Sequence, residues 1–273
     1  MNPINSDPVQ WVSPTQPRLA GPAPSLDGAG ARRLLVAAAR AYQDAAFRSS
    51  TTGAQACVQG FGTDSSSLVV AFKGSTSPED FIQDARVEHL PYPAAGHGAW
   101  VHAGFGEDAR SIAEPLLSTL ASWRRKHGRQ GGIWFTGHSL GGALAILAAA
   151  MARGWNLPVA GVCTFGQPRV GNRVFADWFQ RNTGGWSLGS RTWRFVHAAD
   201  PVPWLPPWLM GYRHAGNEYF LPGHVSAGPS SGFRDSILSI ARCLENRLFN
   251  PLEPLQDHSL GAYAKAMAAW EAP

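Results

Sequence analysis

The sequence predicts an α/β protein, a mostly parallel central sheet covered by helices on both faces. Two observations predict it. Short apolar runs bounded by turn residues alternate with longer stretches of helical periodicity. In addition, 273 residues, 44% hydrophobic and only 15% charged, are enough to build one full core.

Residues 1–28 are rich in Pro, Ser and Gly and read as an N-terminal arm, which leaves residues 29–273 as one domain. Residues 31–47 read as a helix with Leu34, Leu35, Ala38 and Tyr42 on one face, and residues 68–72 as a buried strand. Residues 107–127 form a second helical pattern, apolar at Ile112, Leu116, Leu120 and Trp123, with Pro115 marking a kink or a break. Then come a strand at 132–136, a helix at 140–153, a strand at 159–165, a helix at 174–181 and a strand at 192–198. Residues 233–249 and 259–270 close the chain as helices.

Composition narrows the function classes. The net charge is +4 with no long basic run, so no nucleic-acid partner is expected. Arg124, Arg125, Lys126 and Arg129 read as the cationic end of a helix. Cys57, Cys163 and Cys243 show no CxxC pattern, so no structural metal is expected and all three read as free thiols. The first eight residues, Met-Asn-Pro-Ile-Asn-Ser-Asp-Pro, lack a basic start and an apolar run. The longest apolar stretch, residues 143–152, is too short to span a bilayer. The expectation is a soluble chain with no cleavable signal, the cytoplasm slightly favoured.

The chemistry centres on a serine. The pattern G-x-S-x-G occurs three times, around Ser139, Ser187 and Ser230, so the pattern alone selects nothing. Only Ser139 has the apolar run Ile133-Trp134-Phe135-Thr136 directly before it and a helical stretch directly after it. A strand-turn-helix elbow needs small flanking residues, which Gly137, Gly141 and Gly142 supply. The elbow holds a serine hydroxyl exposed above the sheet edge, and the helix N-terminus behind it favours negative charge. The plain alternative is an ordinary glycine-rich connection.

A serine hydroxyl needs a base, and the base needs a carboxylate to orient it. In α/β-hydrolases the order along the chain is Ser, acid, His. Among the later carboxylates Asp200 stands out, because it follows the strand at 192–198 at the end where sites form in open sheets. Its alternative is a turn-forming Asp before Pro201. Spacing leaves His214, His224 and His258 open as the base.

Several blocks, in order, carry a family resemblance. They are Val70-Ala71-Phe72-Lys73-Gly74-Ser75-Thr76, Val101-His102-Ala103-Gly104-Phe105, and the elbow from Thr136 to Leu144. After these come Thr164-Phe165-Gly166-Gln167-Pro168-Arg169-Val170-Gly171-Asn172, the run from Arg194 to Pro203, and Asp257-His258 with Tyr263. From about residue 57 to 263 the chain resembles the class 3, or fungal-type, lipases. The resemblance implies an α/β-hydrolase fold with a short lid segment, and a triad of Ser139, Asp200 and His258. It also implies an oxyanion hole from the backbone N–H groups of Ser75 and Leu140. The family's lid falls on residues 77–85, with Phe81 where fungal lipases often carry Trp and Lys73 where they often carry Arg. Val202 and Leu205 match positions that line the acyl pocket. Trp204, Trp208, Leu209 and Met210 add an apolar loop, read either as an acyl-chain wall or lipid-facing rim or as a loop packed on its own domain.

The implied activity is hydrolysis of carboxylic esters, a lipase or carboxylesterase acting on acylglycerols or other fatty-acyl esters through an acyl-enzyme. No metal or organic cofactor is implied. The expected partners are an acyl-ester substrate and a lipid–water interface, with no obligate protein partner evident. A phospholipase or a feruloyl-type esterase would use the same chemistry. A catalytically silent lipase-like binding scaffold is the alternative from another class, and such scaffolds usually lack a triad member.

Overall fold

The structure is a computed structural model that describes residues 25–44, 46–61, 67–76, 88–127, 131–181, 187–222 and 253–271. The first helix, α1 (Gly28–Arg40), is capped by Asp27, whose carboxylate accepts the Gly30 N–H at 2.6 Å. It stops short of the expected residue 47 because Phe47 belongs to a strand. β1 (Phe47–Arg48) pairs antiparallel with β2 (Gln55–Phe61), which pairs antiparallel with β3 (Ser67–Phe72). β4 (His89–Pro91) and β5 (Trp100–His102) then lead into α2 (Ala103–His127).

α2 starts four residues before the expected 107 and runs through Pro115 without a break. Proline has no N–H to give to the carbonyl one turn back, so the helix loses a bond there. Burial of Ile112, Ala113, Leu116 and Leu117 on both sides of the proline holds it together. Arg124, Arg125 and Lys126 occupy the last turn, opposite the negative end of the helix dipole.

The rest of the chain alternates. β6 (Ile133–His138), α3 (Leu140–Gly154), β7 (Val159–Phe165), β8 (Gly171–Asn172) and α4 (Arg173–Gln180) follow in order. β9 (Thr192–His197), β10 (Tyr212–Arg213), β11 (Asn217–Leu221), α5 (Glu253–Asp257) and α6 (Leu260–Ala268) complete it. Seven strands form the main sheet in the order β1-β2-β3-β6-β7-β9-β11, and every pair from β3 onward is parallel.

Alternation along the strands explains the two covered faces. In β3, Val70 and Phe72 join the cluster built on α2, α3 and α4, while Val69 and Ala71 join the one built on α1 and α6. β6 divides likewise, Ile133 and Phe135 to one side and Trp134 to the other. A sheet buried on both faces reads in sequence as continuous apolar runs. α3 is buried almost all round, from Gly141 to Arg153, as its run of Ala and Leu requires.

Two features lie beyond the sequence reading. β2 and β11 were not expected. A second, four-stranded antiparallel sheet, β10-β8-β5-β4, uses strands of two or three residues, too short to show a period. Cys57 and Cys163 are buried and free. The arm to residue 24, the segment 77–85 with Phe81, the expected helix at 233–249, His224, Ser230 and Cys243 lie outside the described residues.

Candidate active site

β6 ends at His138 and α3 starts at Leu140, so Ser139 alone makes the turn. Its backbone sits at φ 59° and ψ −131°, a setting a non-glycine residue keeps only when its surroundings enforce it. The flanks enforce it by closeness. A Cβ at Gly137 would lie 2.2 Å from the Gly141 carbonyl carbon, and one at Gly141 would lie 2.2 Å from Phe72 O. The Ser139 N–H donates to Phe165 O at 2.9 Å, which fixes the turn to the neighbouring strand. The sequence reading put the hydroxyl in the open above the sheet edge. Instead Ser139 is 1% exposed. Gly74, in the loop after β3, packs against it: a Cβ on Gly74 would come 3.2 Å from the Ser139 Cβ.

Asp200 follows β9 after Ala198, which turns the chain at φ 42°. Asp200 is fully buried, and three donors converge on it. His258 Nδ1 lies 2.9 Å from each carboxylate oxygen, Tyr263 donates its O–H to Oδ2 at 2.6 Å, and the Val202 N–H reaches Oδ1 at 2.9 Å. Burial first, and then Asp200 itself, hold the Tyr263 phenol well above its ordinary pKa, so it stays a donor. The same phenol oxygen accepts the His197 N–H at 3.1 Å.

His258 sits between α5 and α6 and is fully buried. Asp257 ties this segment to the loop after β9 by accepting the Ala199 N–H at 3.1 Å. Gly166, at φ 61°, makes room for the pair: a Cβ there would lie 2.8 Å from Asp200 Oδ2 and 2.9 Å from His258 Nδ1. The other ring nitrogen, His258 Nε2, and the hydroxyl Ser139 Oγ are both buried, and neither has a hydrogen-bond partner among the described residues.

The remaining expected residues fall as follows. Leu140 opens α3, and Ser75 follows Gly74 in the loop after β3. Val202 is buried beside Asp200, and Leu205 is half-buried farther along the same loop. Arg169 braces that loop by donating to the carbonyls of Trp204 and Pro206. His214 braces it too, donating from Nε2 to Pro203 O at 2.7 Å, which accounts for this histidine away from the Asp200 pair. Ser187 accepts the Ser190 N–H at 2.9 Å in the turn that leads into the short helix at 189–191. Trp208, Leu209 and Met210 do not pack inward: they are 59%, 78% and 43% exposed.

Sequence reasoning assigned no site role to Tyr42, His138, Gly166 or Tyr263. Tyr263 and Gly166 lie in the runs that carry the family resemblance, and His138 lies in the elbow motif. Tyr42 read as a core position at the end of a helix. Among the described residues no group of three His, Cys, Asp or Glu side chains could hold a metal, and no helix is long and apolar enough to cross a membrane.

Comparison with known proteins agrees with this architecture. The family model "Lipase (class 3)" matches residues 69–210, just over half of the chain. "Lipase A" of Sodiomyces alcalophilus is 38% identical over 180 residues, covering 56% of this chain and 42% of that protein. "Secreted mono- and diacylglycerol lipase 1" of Fusarium solani is 35% identical over 156 residues, covering 57% of this chain and 44% of that protein. The chain thus spans less than half the length of these two relatives. The solved Rhizomucor miehei lipase propeptide complex superposes with a TM-score of 0.61 at 26% identity, over 81% of this chain and 78% of that one. The fold is an α/β-hydrolase fold, and the chain belongs to the class 3 lipase family.

Proposed function

We propose that this chain is a serine carboxylic-ester hydrolase acting on acylglycerols or other fatty-acyl esters. One observation carries the reading. Ser139 Oγ and His258 Nε2 are two buried polar atoms without partners, while the other nitrogen of the same imidazole is committed to Asp200. A buried polar atom without a partner calls for an explanation, and a reacting role supplies one for this pair. Catalytic hydrogen bonds also often tighten only once substrate is bound.

Asp200 holds the proton on His258 Nδ1, so Nε2 is the free base. It takes the Ser139 proton as Oγ attacks the ester carbonyl, then returns that proton to the leaving alcohol. Water repeats the sequence on the acyl-enzyme and releases the acid. The backbone N–H groups of Leu140 and Ser75 serve as donors to the oxyanion, helped by the N-terminal dipole of α3. No metal or cofactor enters these steps.

Val202 and Leu205 form the acyl side of this site, and the exposed Trp208-Leu209-Met210 turn forms a rim that meets the lipid–water interface. Its exposure next to the Asp200 loop supports that role and favours fatty-acyl over feruloyl esters. A relative named as secreted supports an extracellular setting over the cytoplasm. We read residues 29–273 as the one catalytic domain and 1–28 as an arm. The test is a panel of p-nitrophenyl esters, emulsified acylglycerols and phospholipids, with Ser139→Ala as control. Turnover of fatty-acyl esters that disappears in the variant supports the reading. Turnover that survives the substitution, or none from folded protein, refutes it.

A further inference from the structure

Tyr42 and His138 form one hydrogen-bonded strut with ends on two different loops of the site. The His138 ring is buried, and its Nε2 lies 2.6 Å from the backbone carbonyl of His258. A carbonyl can only accept, so Nε2 carries the proton. In the neutral ring Nδ1 is then an acceptor, and it lies 3.0 Å from the Tyr42 hydroxyl, which donates to it. The ring is held neutral: burial first, then the neighbouring His258, bring its pKa down to about 3. The Tyr42 hydroxyl also lies against Gly74, the residue before Ser75. Both hydrogen bonds of the His138 ring therefore have one allowed direction.

The path joins three segments far apart in sequence. Gly74 belongs to the loop after β3, His138 is the last residue before the nucleophile, and the His258 carbonyl belongs to the base. Gly74 has no room for a side chain because of it. A Cβ there would lie 2.2 Å from the Tyr42 hydroxyl and 2.5 Å from His138 O.

We propose that Tyr42 and His138 are positioning residues that set the His258 backbone and the Ser75 loop against Ser139. This rests on the esterase reading above, and neither side chain takes part in proton transfer. Without the Tyr42 hydroxyl, His138 Nδ1 loses its donor and the ring is free to take the other tautomer, which cannot bond the His258 carbonyl. A small misplacement of a reacting group has large kinetic consequences.

The experiment measures kcat, KM and melting temperature on p-nitrophenyl butyrate for wild type, Tyr42→Phe, His138→Gln and His138→Leu. Glutamine offers both an acceptor oxygen and an N–H donor, and leucine offers neither. Expected for Tyr42→Phe is a folded protein with KM within about twofold of wild type and kcat lower by about ten- to hundredfold. His138→Gln should keep more kcat than His138→Leu. If His138→Leu does not fold, Tyr42→Phe decides alone. Wild-type kcat in Tyr42→Phe overturns the proposal, as does a loss confined to KM or no rescue by glutamine.

Failure of the esterase reading shows separately, as no turnover by folded wild type. The strut is then read by the downfield proton resonance of the His258 Nδ1–H···Asp200 bond. That resonance shifts or broadens in Tyr42→Phe if the strut positions His258, and stays unchanged if it does not.

Discussion

Gly166→Ala tests how closely the Asp200–His258 pair is fitted. The perturbation is a single methyl group. It acts twice, on the backbone and on the pair. Gly166 holds φ at 61°, where a side chain costs about 1–2 kcal/mol. The added Cβ would also lie 2.8 Å from Asp200 Oδ2 and 2.9 Å from His258 Cε1 and Nδ1. Carbon needs about 3.5 Å from such atoms, so something must move by roughly 0.6–0.7 Å. Asp200 and His258 are both fully buried and cannot swing into solvent. The displacement therefore falls on the geometry that aims His258 Nε2. The expected outcome is a melting temperature lower by roughly 2–8 °C, and kcat lower by about ten- to hundredfold. The assay pairs thermal unfolding with kcat on p-nitrophenyl butyrate. A variant with wild-type kcat and wild-type melting temperature would refute the reasoning, because it would mean the pair tolerates an atom where the structure leaves no room.

Three further outcomes follow from the same geometry. Asp200→Asn keeps the shape but gives His258 the wrong tautomer, so kcat should fall by about 10⁴-fold with little change in KM; a loss of less than tenfold speaks against Asp200 as the orienting group. Trp208→Ser with Leu209→Ser should lower turnover of emulsified long-chain esters while soluble short-chain esters are hydrolysed as before, and equal activity on both classes would remove the lipid-facing rim. The His138 pKa lies near 3 in the fold against an ordinary 6.5, so the unfolded chain binds the extra proton between those values. Stability from this group is therefore complete above about pH 6.5 and is lost as pH falls toward 3. Urea midpoints at pH 7 and pH 5 should differ more in wild type than in His138→Gln, and equal differences would contradict the buried neutral ring.

The parts legible in sequence are those whose burial leaves a continuous trace. The strand expected at 159–165 is observed as β7 (Val159–Phe165), because a central parallel strand is apolar on both faces. Ser139 was selected by the strand before it and the helix after it, and the structure places it in that turn. What failed was local detail set by tertiary contact. Phe47 read as the end of a helix but pairs with Ala56 in a hairpin. The four-stranded sheet escaped notice because two or three residues cannot display a period of two. Ser139 read as exposed because sequence does not show how closely distant segments such as Gly74 pack against it.

The site divides in the same way. Asp200 was legible from its place after a strand. His258 was not separable from His214 and His224 by spacing and came only from resemblance. The structure assigns His214 to bracing the 201–210 loop and puts His258 on Asp200. The Tyr42–His138 contact spans 96 positions, and an aromatic residue on an apolar helix face carries no local mark of a polar partner.

The most direct test of the central claim is covalent. Folded wild-type protein is treated with an organophosphonate ester and mapped by peptide mass spectrometry, with Ser139→Ala alongside. The account predicts one adduct, on Ser139, none on Ser187 or Ser230, and none on the variant. Folded protein that stays unmodified, or that carries its adduct on another serine, would contradict it.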